Sequence, residues 1–271
     1  MVTRKVKLLF LFFILFAYSL FAEESHGEYT ISLVGLQMDY REYDTNSVLL
    51  DSEKSSFNEM MGAEFEYRYF VDQSVNLELK VLTLSGNTKY VGSLIGSNQG
   101  YGSSSDTTLN DIRDIAFMYN AQQISDFGIN MLCGVGGGYR FWQRKLSASQ
   151  VEQYDWYSLR GNIGLEYNLD PSVILKVLLE YQYGIAPSMR TNGIDGDFKL
   201  GSADILQISV PLQYKISQHF SLRCEYLYEY QKITKSNYLS GTLNGIYSDR
   251  WHEPDSRASN QYLKVGMIFK Y

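Results

Sequence analysis

From residue 28 onward the chain alternates apolar and polar side chains with a period of two, the pattern of strands whose faces meet unlike surroundings. The last ten residues, YLKVGMIFKY, illustrate it: Leu263, Val265, Met267, Phe269 and Tyr271 share one parity, Lys264, Gly266 and Lys270 the other. Strands are predicted over about 28–43, 56–71, 74–89, 110–123 and 127–144. Alternating runs follow over 157–167, 173–183, 206–214, 220–230 and 263–271. The first strand has mixed parity, because Ile31 and Leu33 compete with Val34, Leu36 and Met38, and a β-bulge is expected there.

The connections alternate as well. Tight turns fall near Val71–Ser74, Ser125–Asp126, Leu169–Ser172 and Ser217–His219. Between them lie polar loops at about 44–55, 90–109, 145–153, 187–200 and 237–257. Short and long connections in turn predict about ten antiparallel strands with both termini on the short-turn side. Transmembrane up-and-down β-barrels have this asymmetry, with short periplasmic turns and longer external loops.

Three features favour that all-β barrel over a soluble β-sandwich. Opposite charges stand close together on the polar faces, as a crowded interior requires: Glu64, Glu66 and Arg68; Glu78 and Lys80; Arg160 and Glu166; Lys176 and Glu180; Arg223 and Glu225. These residues form the predicted luminal charge network. Several strands run roughly 14–17 residues, longer than globular sheets use and longer than the roughly 9–11 that span a bilayer, so the wall should overshoot the membrane. On the apolar faces, aromatic residues gather at the strand ends and aliphatic ones in the middle. Tyr67, Tyr69, Phe127, Tyr167, Tyr214, Phe220, Phe269 and Tyr271 fall at the short-turn ends. Phe57, Tyr139, Phe141, Tyr157, Tyr181, Tyr183, Tyr228 and Tyr230 fall towards the long loops. Two aromatic belts match two membrane interfaces.

The first residues agree with export. Arg4, Lys5 and Lys7 precede an apolar run from Leu8, and Ala22 precedes two glutamates, so residues 1–22 read as a cleaved signal peptide and residues 23–271 as one barrel domain. The remaining 21 Lys+Arg against 30 Asp+Glu leave a net charge of −9, the wrong sign for nucleic acid. Cys133 and Cys224 fall on apolar faces of strands that are not neighbours and are expected as free thiols.

The tail resembles the C-terminal insertion signal of bacterial outer-membrane barrel proteins through Lys264, Gly266, Phe269 and Tyr271. That resemblance implies the barrel-insertion machinery as a partner during biogenesis and the bacterial outer membrane as the destination. Ten strands with five external loops also resemble the omptin family of outer-membrane proteases, in architecture alone. Omptins use an Asp–His pair on the fourth external loop, facing two aspartates. Here loop four, MRTNGIDGDFKLG, has Asp195 and Asp197 but no histidine, and loop two offers Asp106, Asp111 and Asp114 in no matching arrangement. The family's chemistry does not carry over.

Other candidates are local. In SDRWHEPDSR, His252 beside Asp249 could act as a carboxylate-oriented base, and Glu253 with Asp255 could contribute to a hard-cation site. A solvated acidic loop is the plainer reading. The run CGVGGGYRFW lacks the helix that a phosphate-binding loop needs, so Gly134, Gly136 and Gly138 are expected to face the lumen and make room for bulky neighbours. A barrel of this size is filled by its own side chains. The expectation is therefore a monomer with a packed, charged lumen, no cofactor and no nucleic-acid partner, embedded in outer-membrane lipid and lipopolysaccharide. Its role is a non-enzymatic one at the surface or in the envelope. The alternatives are an omptin-like protease or lipid-modifying hydrolase, and a narrow selective channel.

Overall fold

The computed structural model describes residues 27–93, 100–125, 128–243 and 245–271. The expected signal peptide, Phe127 and part of loop two lie outside the described residues. Two wall strands are interrupted, the first comprising β1 (Gly27–Gln37) and β2 (Asp39–Tyr43), the second β3 (Leu49–Lys54) and β4 (Met60–Phe70). Five long strands follow: β5 (Val75–Gly92), β6 (Ser104–Gln123), β7 (Ile129–Lys145), β8 (Val151–Asp170) and β9 (Val173–Thr191). The short β10 (Phe198–Lys199) folds back on β9. Next come β11 (Ala203–Lys215), β12 (Phe220–Ile233), the hairpin β13 (Leu239–Leu243) and β14 (Ile246–Trp251), and finally β15 (Asp255–Lys270).

Every neighbouring pair is antiparallel, and β15 pairs with β1 from Glu28↔Lys270 to Gln37↔Gln261, which closes the sheet. With β1–β2 and β3–β4 each taken as one wall strand, ten strands make the barrel, as the alternation predicts. The strands run further into the loops than expected. Loop one shrinks to the turn between Tyr43 and Leu49, β9 continues to Thr191, and loop five carries the β13–β14 hairpin.

Along β1–β2, β5, β6 and β15 the polarity of the two faces changes from the short-turn end to the long-loop end. Near the short-turn end of β5, Glu78 and Lys80 point inward while Leu79 and Val81 point outward. Further along, Leu82 and Leu84 point inward while Thr83, Ser85, Asn87 and Lys89 point outward. On β6, Ile115 and Phe117 are outward below Arg113, and Ile112 is buried beside it. On β15, Val265 and Leu263 are outward below Gln261, Ser259 and Arg257. The lower wall thus suits hydrocarbon outside and a polar lumen inside; the upper wall suits water outside and an apolar core inside. The crossover is the level at which such a wall would leave a bilayer, because outward charge is costly only within hydrocarbon.

This reversal corrects two expectations. The first strand has no bulge at the expected place, between Ile31 and Met38: Glu28, Thr30, Ser32, Val34, Leu36, Met38, Tyr40 and Glu42 all face inward in unbroken alternation. Its apolar residues change parity because the lumen becomes apolar above Ser32. Register shifts fall elsewhere: in β9 at Ala186, φ 49°, where Tyr157↔Ile185 gives way to Asp155↔Ser188, between Asn168 and Asp170 of β8, and where β2 meets β3 between Glu42 and Tyr43. Nor is the lumen charged throughout. Its upper part is packed by Val34, Leu36, Met38, Met60, Leu84, Ile112, Trp142, Trp156, Ile205 and their neighbours.

Candidate functional site

The lower lumen is filled by ion pairs. Lys264 on β15 reaches Glu64 at 2.9 Å and Glu225 at 3.2 Å. Arg68 on β4 contacts Glu28 and Glu78, both at 2.8 Å, and also Glu66. Arg223 meets Glu66 at 3.2 Å and also pairs with Glu225. Lys80 lies 3.3 Å from Glu78, and Lys176 lies 2.7 Å from Glu166. Above them Asp114 accepts from Arg140 and Arg160, each at 2.9 Å, and Glu229 accepts from Arg140, Gln207, Asn260 and Tyr262. Such density is enforced, since a buried charge without a partner is strongly destabilising. A cavity of about 40 Å³ between Glu64, Lys80, Asp114, Arg160, Glu180 and Lys264 has room for a very few waters.

Glycine makes this packing possible on β7. A Cβ at Gly138 would lie 2.5 Å from the Arg160 guanidinium and 2.6 Å from the Ile115 carbonyl oxygen. Gly134, Gly136 and Gly138 do face the lumen, where they meet Asn120, Met118 and Arg160.

A second charged cluster closes the top. Arg144 on β7 is fully buried and donates to Glu53 at 2.8 Å, Glu42 at 2.6 Å and Glu152 at 2.8 Å. The Tyr40 ring lies 4.5 Å from its guanidinium carbon, a distance at which cation–π attraction operates. Glu53 also accepts from Thr88 Oγ1 at 2.6 Å and Asn110 Nδ2 at 3.0 Å, and Trp142 Nε1 holds the other end of Asn110 at 2.8 Å. Asp51 stands opposite Glu42 in the register. Loop five adds Glu253, whose carboxylate accepts from Tyr154 Oη. Burial, and then the nearby Glu42 and Glu152, push the Glu253 carboxyl well above its ordinary range.

Loops four and five roof this cluster. Ile194, Phe198, Leu200 and Leu243 are buried, with Leu239 and Trp251 packed against them. Thr242 N donates to the Gly193 carbonyl at 3.1 Å and ties the hairpin to loop four.

The sequence candidates of loop five are not gathered into a site. His252 lies edge-on to Tyr238, with ring centroids 5.0 Å apart, and Asp249 is exposed on β14. Among the described residues no hydrogen bond or ion pair joins the two. Glu253 turns inward to Tyr154, whereas Asp255 accepts from the Lys235 amide at 2.9 Å. Among the described residues no group of carboxylates, histidines or cysteines has metal-ligand geometry. The loop-two aspartates also part company: Asp114 is luminal, Asp111 pairs outward with Arg113 at 2.9 Å, and Asp106 is exposed, all three on β6. Both cysteines are free and outward. Of the tail residues, Lys264 is in the luminal network, Gly266 packs against Ser32, and Phe269 and Tyr271 share the outward parity, Tyr271 stacking on Tyr29 at 5.2 Å. The Arg144 cluster was missed by sequence reasoning. The signal was present: with Tyr139 and Phe141 outward, parity sends Arg140, Trp142 and Arg144 inward.

A family model described as a protein of unknown function, DUF481, matches residues 101–238, half of the chain. The chain belongs to the DUF481 family. The matched stretch runs from the start of β6 into loop five and so includes Asp114, Arg140, Arg144 and Glu152. A search of the curated proteins found no match. Among solved structures, this DUF481 protein is similar to the outer membrane protease OmpT from Escherichia coli, with TM-score 0.59, 10% identity, and coverage of 90% of this chain and 96% of that one. The translocator domain of the autotransporter NalP from Neisseria meningitidis gives TM-score 0.47 at 10% identity, covering 92% and 90%. The outer membrane protein OprG from Pseudomonas aeruginosa gives 0.41 at 9% identity, covering 92% and 97%. At such identity the OmpT likeness bears on fold alone, and the fold is that of an outer-membrane β-barrel.

Proposed function

We propose that this DUF481 protein is an integral protein of the bacterial outer membrane with a non-enzymatic role at the surface or in the envelope, exercised by its upper wall and roof. The observation that carries the reading is the filling of the barrel. Ion pairs occupy the lower lumen, an apolar core lies above them, and the Arg144 cluster and loops four and five cover the top. A lumen so occupied favours contact over transport, and chemistry at the surface would need a base with its orienting partner in reach, which His252 and Asp249 do not provide.

On this reading residues 1–22 are removed at export, and the terminal strand bearing Lys264, Gly266, Phe269 and Tyr271 is recognised by the insertion machinery. Planar-bilayer recording and a panel of peptide and lipid-ester substrates test the role together. A silent bilayer with no turnover is expected. Discrete conductance steps would favour the channel, and turnover lost in His252→Ala or Asp249→Ala would favour the hydrolase. Outer-membrane yield of a Tyr271→Ala variant tests the insertion signal, and an unchanged yield would remove it.

A further inference from the structure

The two charged regions of the lumen differ in balance. In the lower lumen most carboxylates have a cation of their own, as Glu64 has Lys264, Glu166 has Lys176, Asp114 has Arg160 and Glu229 has Arg140. At the top, Glu42, Asp51, Glu53, Glu152 and Glu253 are all buried, and among the described residues the guanidinium that meets them is that of Arg144 alone. Fully ionised, these five carboxyls would outnumber their cation by four charges, which a shielded site does not sustain. The other titratable groups facing the cluster are phenols, Tyr40 on β2, Tyr90 on β5 and Tyr154 on β8, and they add no positive charge. Among the described residues no ligand arrangement offers a metal ion instead. Protons are left as the counter-charge.

Hydrogen-bond geometry places them. Tyr154 Oη is within bonding reach of Glu253 Oε1 and, at 3.2 Å, of Glu152 Oε2. A phenol carries one hydrogen, so the second contact needs a hydrogen on one of the two carboxyls. Asp51 and Glu42 stand opposite each other within bonding reach, and Asp51 Oδ1 has no partner among the described residues. Burial, before any neighbouring charge, raises both Asp51 and Glu253 well above the ordinary carboxyl range. Of the five carboxyls only Glu253 is carried by the roof; the others stand on wall strands β2, β3 and β8, which the closed sheet fixes. Ser236 holds Glu253 from both sides, its Oγ accepting from the Glu253 amide at 2.9 Å and its amide donating to the Glu253 carbonyl at 3.0 Å. Asn237 then bonds Lys199, and Thr242 bonds Gly193, which laces loops four and five into one piece. Displacing Glu253 therefore displaces the roof.

We propose that Glu253, docked on Tyr154 beside Glu152, is a proton-operated latch that holds loops four and five shut over the upper lumen and releases them when the pair ionises. Two carboxylates across one phenol repel, and water can solvate Glu253 only if the loop leaves its seat. The roof is thus closed in acid and lifts as pH rises, while the lower lumen stays packed in both states. The inference rests on the reading of the roof as the working surface and gives that surface a control.

The three tryptophans report on the roof without a label, since Trp142 and Trp156 are buried beneath it and Trp251 packs against the same core. Acrylamide quenching of their fluorescence is measured on the mature barrel in detergent from pH 5 to pH 9. The parent should be poorly quenched at pH 5 and severalfold more quenched at pH 9, reversibly and with heat-modifiable migration intact. Glu253→Gln, which can still accept from Tyr154 but cannot ionise, should stay poorly quenched throughout, and Glu152→Gln should blunt the rise. Glu180→Gln, which neutralises a carboxyl of the lower lumen, should follow the parent. A flat parental profile would overturn the latch, as would a Glu253→Gln profile that matches the parent's. A rise that coincides with lost heat-modifiability would overturn it too, by assigning the change to unfolding of the barrel. So would closure at pH 9 by calcium chloride but not sodium chloride, which would assign the cluster to a metal ion. Planar-bilayer recording at both pH values separates this inference from the reading beneath it. Conductance steps at pH 9 with the quenching profile as expected uphold the latch and defeat the non-channel reading, whereas a silent bilayer with a flat profile defeats the latch alone.

Discussion

Arg144 Nη2 and Glu53 Oε1 meet at 2.8 Å in the closed top of the lumen, across 91 residues of sequence. Their side chains are almost wholly shielded from solvent, and Glu42 and Glu152 share the same guanidinium. Arg144→Met keeps the volume but leaves three carboxylates without their cation. Removing one partner of a buried ion pair costs about 3–5 kcal/mol. Urea unfolding followed by tryptophan fluorescence should register a loss of that order, and a Glu53→Gln, Arg144→Met double variant should recover part of it.

The polarity reversal predicts where charge is tolerated on the outward face. Val265 is opposite Leu33 in the lower wall, and both are exposed to the surroundings, at 58% and 70%. Val265→Arg should lower the stability of the lipid-inserted barrel by about 1–3 kcal/mol, between the interface and midplane costs. Ser259→Arg, on the same strand and face but above the crossover, should leave it within about 0.5 kcal/mol. Similar losses at both positions, measured by reversible unfolding from liposomes, would remove the proposed membrane boundary.

Loop five should respond to pH through Glu253. Burial beside Glu42 and Glu152 raises its carboxyl above the ordinary range when the roof is closed, so the closed form holds a proton that the open form releases. The contribution of this group to closure is complete below the ordinary carboxyl pKa and declines as pH rises through the raised value. Hydrogen-exchange protection over residues 239–251, taken relative to the intrinsic base-catalysed rate at each pH, should therefore fall from pH 4 to pH 8. Glu253→Gln, which cannot ionise, should flatten that dependence.

Gly138 is a tight point of the lumen. Gly138→Val would drive a side chain into the Arg160 guanidinium and the backbone of Ile115. Overpacking of this kind costs about 1–3 kcal/mol. Gly161→Ala, whose Cβ would find its nearest neighbour at 3.9 Å, should fold with nearly parental stability. Thermal gel-shift midpoints of the two variants give the comparison.

The sequence by itself determined the barrel. Period-two alternation is a local property, and Leu263, Val265 and Met267 against Lys264 and Gly266 are legible without coordinates because a strand can offer its faces only in turn. The charged lower lumen was legible for the same reason, since Glu64, Glu66 and Arg68 share a parity. The candidate loop site was not, because whether His252 meets Asp249 depends on loop paths that alternation does not constrain.

What only the tertiary structure decided is which medium each face meets. Val34, Leu36 and Met38 look like a slipped register in sequence, yet they keep their parity and pack inward once the wall rises past the bilayer. Arg144 likewise gains its meaning from Glu42, Glu53 and Glu152, which long stretches of chain separate and barrel closure brings together. Alternation distinguishes one face from the other, but burial and charge pairing depend on which strands the closed sheet places opposite one another.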